Sequence, residues 1–205
     1  MRIRTSALTA FVIGALAAGS VLMAPTADAT PKVAAPKFLA ASELPRHPSS
    51  PWTAGPVTEG FPEALGGCVS TEGVPSYDYR HREFRTDVDT GAVQLTVVTS
   101  SATLAKALAK QYDDLIRTCA ARIEQTSPDV KAESRDYGTL SVEEGAHVRG
   151  LHTETSWGAS DVSLWSVGRD DKTVTVVRWA QMGDFDDAPV TAFKKTTTTA
   201  VNKLY

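Results

Sequence analysis

Cys68 and Cys119 are the only two cysteines in a chain of 205 residues, and their positions limit what it can fold into. Leu104, Leu108, Tyr112, Leu115, Cys119 and Ile123 recur at three- and four-residue steps, the spacing that lays one apolar stripe along a helix. Lys106, Lys110, Asp113, Arg117 and Arg122 fall on its other faces. Ser100 and Ser101 open this helix, because a serine hydroxyl accepts from an orphan N–H of the first turn. Cys119 therefore lies on the buried side. Cys68 stands among Gly66, Gly67, Gly73 and Pro75, in a turn-rich stretch over 61–78. A bridge between the two would staple that loop across the helix stripe. It would close about 50 residues, for which the chain-entropy account gives roughly 4 kcal/mol. The competing reading is a pair of unpaired, buried thiols. A zinc site does not suit two cysteines so far apart with no histidine at ligand spacing, and no metal is expected.

The start of the chain bears on that choice. Met1-Arg2-Ile3-Arg4 is a short basic opening, an apolar run follows from about Ala7 to Met23, and Ala27-Asp28-Ala29 ends it with small residues at alternate positions. Together these form a secretory signal peptide over 1–29, cut before Thr30. An uncleaved anchor is the alternative, but it needs roughly 20 strongly apolar residues, and this run is shorter and rich in Ala and Gly. No second apolar stretch of spanning length follows, so no transmembrane span is expected after cleavage. An exported chain folds in an oxidising compartment, where two cysteines most economically form one bridge. The expected localisation is secreted, extracellular.

The whole chain carries a net charge of −3. Without Arg2 and Arg4 the exported part is mildly acidic and has no basic block. Nucleic acid is thereby disfavoured, since phosphates call for clustered Lys and Arg.

From Thr30 to Pro56 stand Pro31, Pro36, Pro45, Pro48, Pro51 and Pro56. Proline at this density opposes helix and central strand alike, so 30–56 reads as an extended linker. A short apolar segment inside it, 38–45, is suited to one helical turn against the domain. The single folded domain is then 57–205. Residues 79–85 alternate bulky and charged side chains and read as a strand, 87–91 as a turn. Val93, Leu95 and Val97 line one face of a second strand, which completes a hairpin. After Ser127-Pro128, strands are expected over 137–142, 147–155, 161–167 and 172–182, with Gly168-Arg169-Asp170-Asp171 as a tight hairpin loop. Val190, Phe193, Thr197, Val201 and Leu204 form a second amphipathic stripe, with Pro189 in its first turn and Asp186 or Asp187 as cap. The fold class is α+β: a mainly antiparallel sheet packed by two amphipathic helices, with one disulfide.

Catalytic patterns are missing. There is no G-x-S-x-G, no H-E-x-x-H and no P-loop, so no catalytic residue and no cofactor is assigned. His47 lies in the linker and His81 on a charged strand. His147 and His152 are five apart and so point to opposite faces of a strand, which argues against a shared metal. His152 and Glu154 share a face, where an acid–base pair is conceivable beside the plainer reading of a surface pair. Glu143-Glu144 and Asp184, Asp186, Asp187 lack the spacing of a calcium loop and suit a solvated turn and a helix cap. Trp165 and Trp179 each fall on the face opposite the aliphatic residues of their own strand and read as core or a half-covered sheet face, with a ligand platform as the alternative. Trp157, in a loop, is the tryptophan best placed to meet a partner. The candidate ligand-binding residues are thus Trp157, His152 and Glu154.

The apolar lead-in at 38–45, the loop with Cys68, the hairpin, and the helix ending Leu115-Ile116-Arg117-Thr118-Cys119 before strands and a C-terminal helix resemble a known arrangement. It is that of the extracellular sensor domain of PknH-type bacterial serine/threonine kinases and its secreted stand-alone relatives. The resemblance covers most of 38–205. It implies a ligand-binding module with a sheet, flanking helices and a cleft, and no assigned catalysis. Typical members carry two disulfides where this chain has cysteines for one, and neither a kinase domain nor a membrane span accompanies it here. The expected function is a secreted, non-enzymatic binding or sensor-like module at the bacterial cell envelope, its partner an unknown small molecule or envelope component. The alternatives are a small secreted hydrolase or inhibitor with a site dispersed in sequence, and a structural wall-associated protein.

Overall fold

The computed structural model describes residues 35–72, 74 and 77–205; the expected signal peptide lies outside them. Seven strands form one antiparallel sheet: β1 (Thr53–Glu59), β2 (Asp78–Arg85), β3 (Gly91–Val98), β4 (Val130–Leu140), β5 (Ala146–Thr155), β6 (Ser160–Asp170) and β7 (Thr173–Met182). Their order across the sheet is β1-β2-β3-β7-β6-β5-β4. The first three strands make a meander. Helices α1 (Ala102–Arg117) and α2 (Cys119–Thr126) then carry the chain to the far edge, and four strands return until β7 pairs with β3. A third helix, α3 (Val190–Asn202), closes the chain.

Strand alternation sorts the apolar residues onto two faces. Val93, Leu95, Val97, Leu151, Trp165, Val167, Val174 and Val176 meet Ala105, Leu108, Tyr112, Ile116 and Cys119 of α1 and α2. Ala92, Val148, Val162, Leu164, Val177 and Trp179 meet Phe193 and Ala200 of α3. Both faces are covered, and Trp165 and Trp179 are core on opposite sides, 2 % and 3 % exposed. The α+β architecture is the one the alternating and 3.6-residue patterns describe.

The disulfide is present: Cys68 and Cys119 are bonded, with Cα atoms 5.2 Å apart. It holds the loop after the single turn Glu63–Leu65 against the first residue of α2. Arg122 of α2 reinforces the staple, donating to the Cys68 carbonyl at 2.8 Å and to the Leu115 carbonyl at 2.8 Å.

The helix is not continuous. Thr118 takes φ −96° and ψ 3°, its hydroxyl donates to the Asp114 carbonyl at 2.9 Å, and α2 begins at Cys119 as a separate helix. A hydroxyl bonded back to its own preceding turn competes with the backbone ladder and bends helices. Within α1 the buried stripe is set one residue on from the expected one at its start. Leu104, expected inside, is 39 % exposed, while Ala105 and Ile116 are buried.

The Pro-rich linker is corrected from Ala35 onward. Leu39 and Leu44 are 0 % and 6 % exposed, and the expected helical turn is the 3-10 turn Ala41–Glu43. Buried Gln94 accepts from the Leu39 amide at 2.7 Å, Thr196 of α3 donates to the Glu43 carbonyl at 2.6 Å, and the Trp52 indole donates to the Pro45 carbonyl at 2.7 Å. Pro56 itself lies in β1, an edge strand with an irregularity between Ala54 and Val57, where a missing N–H is tolerated. The folded unit therefore begins well before residue 57.

Three smaller differences follow from hydrogen bonding. β4 starts at Val130, its polar residues exposed at the sheet edge, a composition that blunts edge pairing. β6 runs on to Asp170, which pairs with Thr173, so the hairpin loop is Asp171-Lys172 and Gly168 lies in the strand. Asp184 and Asp187 cap the 3-10 turn Phe185–Asp187, and α3 has Pro189 at its N-cap. Gly168 is required where it stands: a Cβ there would lie 2.3 Å from Val201 Cγ2, so its absence lets α3 settle onto β6.

Candidate functional site

The antiparallel register sets side chains in rows across the face that carries α1 and α2. One row runs Val93, Arg178, Trp165, Arg149 through β3, β7, β6 and β5. The next runs Gly91, Ala180, Ser163, Leu151. Bulky residues in the first row fill the space under α1; the small residues Gly91, Ala180 and Ser163 in the second do not. The result is a cavity of about 480 Å³. Its walls are Ala64 of the single turn, Gly67 and Cys68 of the stapled loop and Ile123 of α2, and Asp89, Asp161 and Thr153 also line it. A volume of this size lies in the range of small-molecule sites, about 300–1,000 Å³.

Arg178 is the charged group of the cavity. Its guanidinium carbon stands 5.4 Å from the Trp165 ring centroid, a cation–π distance. Trp165 is itself fixed, because its indole N–H donates to Ser163 Oγ at 2.9 Å and that hydroxyl donates to the Leu151 carbonyl at 3.4 Å. Burial pushes the Arg178 guanidinium below its ordinary range, against the opposing pull of the Asp161 carboxylate. Among the described residues Arg178 forms no hydrogen bond or ion pair, and the Trp165 ring is its one interaction of contact range. A guanidinium has five donors, and leaving a charged group partly buried without acceptors is unfavourable. The arrangement therefore offers acceptor-hungry positive charge to whatever enters the cleft.

The residues singled out from sequence lie elsewhere. His152 faces α3, where its Nε2 meets Ser160 Oγ at 2.8 Å and its ring lies 5.6 Å from that of Phe185. Glu154 is exposed on the same strand and makes no hydrogen bond with His152; the two are not brought together as an acid–base pair. Trp157 crowns the β5–β6 hairpin at 72 % exposure and is not among the residues that line the cavity. His147, on the other face, meets Asp136 at 2.8 Å and Asp113 at 3.3 Å beside Arg149. Among the described residues no group of three or more His, Cys, Asp or Glu is arranged to hold a metal.

Sequence reasoning passed over Arg178, Asp161 and the row of small residues. One signal was available. Arg178 interrupts Val174, Val176 and Ala180 on the inward phase of β7, and a charge on a core phase asks for a reason. What it faces depends on register with β6 and β3, and a single strand does not reveal that.

A further hollow, about 450 Å³, lies along the β1–β2 edge. There the His81 ring meets the Gly60 carbonyl at 2.9 Å and Arg82 donates to the Gly55 carbonyl at 2.8 Å, so both tie the edge strand down.

No helix among the described residues is long and apolar enough to cross a membrane. No protein-family description, no curated protein and no solved structure matches this chain.

Proposed function

We propose that this protein is an exported, non-enzymatic module that binds a small molecule at the bacterial cell envelope, and that the cleft beneath the Cys68 loop is its binding site. One observation carries the reading: the cavity of about 480 Å³ whose lining includes the unpaired Arg178 guanidinium braced on Trp165. Its lining residues hold no histidine, and its sulfur is tied up in the disulfide. Fixed donors, an indole and apolar walls suit holding a ligand. Export is supported by the basic, apolar and small-residue sequence of 1–29 and is compatible with the disulfide. The envelope setting, and the kinship with PknH-type sensor domains, rest on the order of elements noted above.

The test is a thermal-shift screen of the oxidised protein against small metabolites, glycan fragments and peptides, repeated with Ala180→Leu. Leucine at that floor position projects its added isopropyl group into the cavity and narrows it. A ligand at a hundred times its Kd adds about 2.7 kcal/mol, worth roughly 5–10 °C at this chain length. Dose-dependent stabilisation that Ala180→Leu removes is the expected result. Stabilisation indifferent to that substitution places binding elsewhere and refutes the cleft as the site.

A further inference from the structure

Resting on that reading of the cleft, we infer that its ligand is a small organic monocarboxylate. The carboxylate bonds to the Arg178 guanidinium, and its apolar body lies against Ile123 and Ala180.

The charge comes from Arg178. It stands on the inward phase of β7 beside Trp165, its cross-strand neighbour, and it lacks an acceptor among the described residues. A planar guanidinium matches a carboxylate through two parallel N–H···O bonds. Holding it in advance against a ring that Ser163 also fixes removes part of the ordering cost of binding.

The limit to one charge comes from two aspartates in the same lining. Asp161 and Asp89 both line the cavity, and the Asp161 carboxylate is near enough to act on Arg178. Arg178 is the single cation of the lining, so one carboxylate can be met by a guanidinium, whereas the further charge of an inorganic phosphate or a nucleotide would meet only the two aspartates. Ile123, Leu151, Ala180 and the disulfide supply the remaining walls, which are apolar and suit a hydrocarbon or aromatic body. Thr153 is the hydroxyl within the lining able to read one further polar group.

Benzoate and hexanoate serve as probes, with benzamide as the uncharged isostere and inorganic phosphate as the small polyanion. Binding is measured by calorimetry and by thermal shift on the oxidised full-length secreted protein. Both carboxylates should bind at millimolar concentration or below, and benzoate about tenfold or more tightly than benzamide. Arg178→Gln should erase the preference for benzoate over benzamide, and Arg178→Lys should keep a reduced preference, since it retains the charge without the fork. If Arg178→Gln fails to unfold cooperatively, the Arg178→Lys comparison decides alone. Equal binding of benzoate and benzamide by the parent protein, with both lost in Ala180→Leu, overturns the carboxylate and leaves the cleft standing. Phosphate binding more tightly than either carboxylate also overturns it. Failure of both carboxylates to bind at millimolar concentration overturns it outright. Probes that bind Ala180→Leu as well as the parent overturn the cleft itself.

Discussion

Arg149 of β5 grips Asp113 of α1 with two hydrogen bonds, 2.7 Å from Nε and 2.8 Å from Nη2. Its third arm, Nη1, reaches Asp136 of β4 at 3.1 Å. One side chain thus joins the helix layer to two strands at the far edge of the sheet. Arg149 is 8 % exposed, so truncating a partner leaves a buried charge half paired. Asp113→Ala should destabilise the fold by about 3 kcal/mol, the lower end for breaking a buried pair, because Asp113 keeps some solvent contact. Chemical denaturation at neutral pH measures this; a loss under 1 kcal/mol would show that water replaces the carboxylate without strain.

The same cluster predicts an acid response. The Asp136 carboxyl is held below the usual carboxylate range, first by its hydrogen bond to the His147 ring, and further by the Gly138 N–H and the charge on Arg149. A carboxylate depressed in the folded state stabilises above its unfolded pKa, and that contribution is lost as pH falls through the folded value. Stability should therefore decline below about pH 4 more steeply in the parent than in Asp136→Asn. Parallel denaturation curves for the two across pH 5 to 2 would remove Asp136 as a source of acid sensitivity.

Reduction should act on both stability and binding. Opening Cys68–Cys119 frees a loop closed over a separation of 51 residues, with an expected loss of roughly 4 kcal/mol on the chain-entropy account. That corresponds to a Tm lower by roughly 8–16 °C. Because Cys68 and Gly67 wall the cleft, ligand stabilisation should vanish with the bridge. Ligand binding that survives reduction in protein that remains folded contradicts the loop's part in the site.

Gly168→Ala tests the approach of α3 to β6. The added methyl would meet Val201 Cγ2 at 2.3 Å and Ala146 Cβ at 3.1 Å, so either the helix or the strand must shift. Overpacking of this kind destabilises by about 1–3 kcal/mol. A thermal midpoint within a degree of the parent would mean that α3 moves freely on the sheet.

Trp157, His152 and Glu154 lie on one hairpin but have different surroundings, and their substitutions should behave differently. Trp157→Ala should leave Tm unchanged, since the indole is 72 % exposed, and should leave cleft ligands bound. His152→Ala removes the bond to Ser160 and the ring beside Phe185 and should cost about 1 kcal/mol. Glu154→Ala should be silent. A cleft ligand lost in Trp157→Ala would show that the hairpin tip folds over the site.

The sequence alone determined where most of the helices and strands lie, because periodicity is a local property, but not β1 within the expected linker nor the start of β4. The stripe from Leu108 to Cys119 and the alternation of Val93, Leu95 and Val97 each follow from a few neighbouring residues. It also fixed which pair a bridge would join, since two cysteines leave one possible intramolecular pair, and the structure shows that bridge formed. Tertiary structure decided everything that depends on neighbours distant in sequence. Leu39 is core because Gln94 receives its amide, despite the prolines around it. The helix bends at Thr118, whose hydroxyl turns back on the Asp114 carbonyl. The cleft itself exists because antiparallel register sets Gly91, Ala180 and Ser163 in one row and Arg178 against Trp165 in the next. A strand read alone specifies its faces; which residues share a row is fixed only when strands pair, and the candidate site is made of such rows.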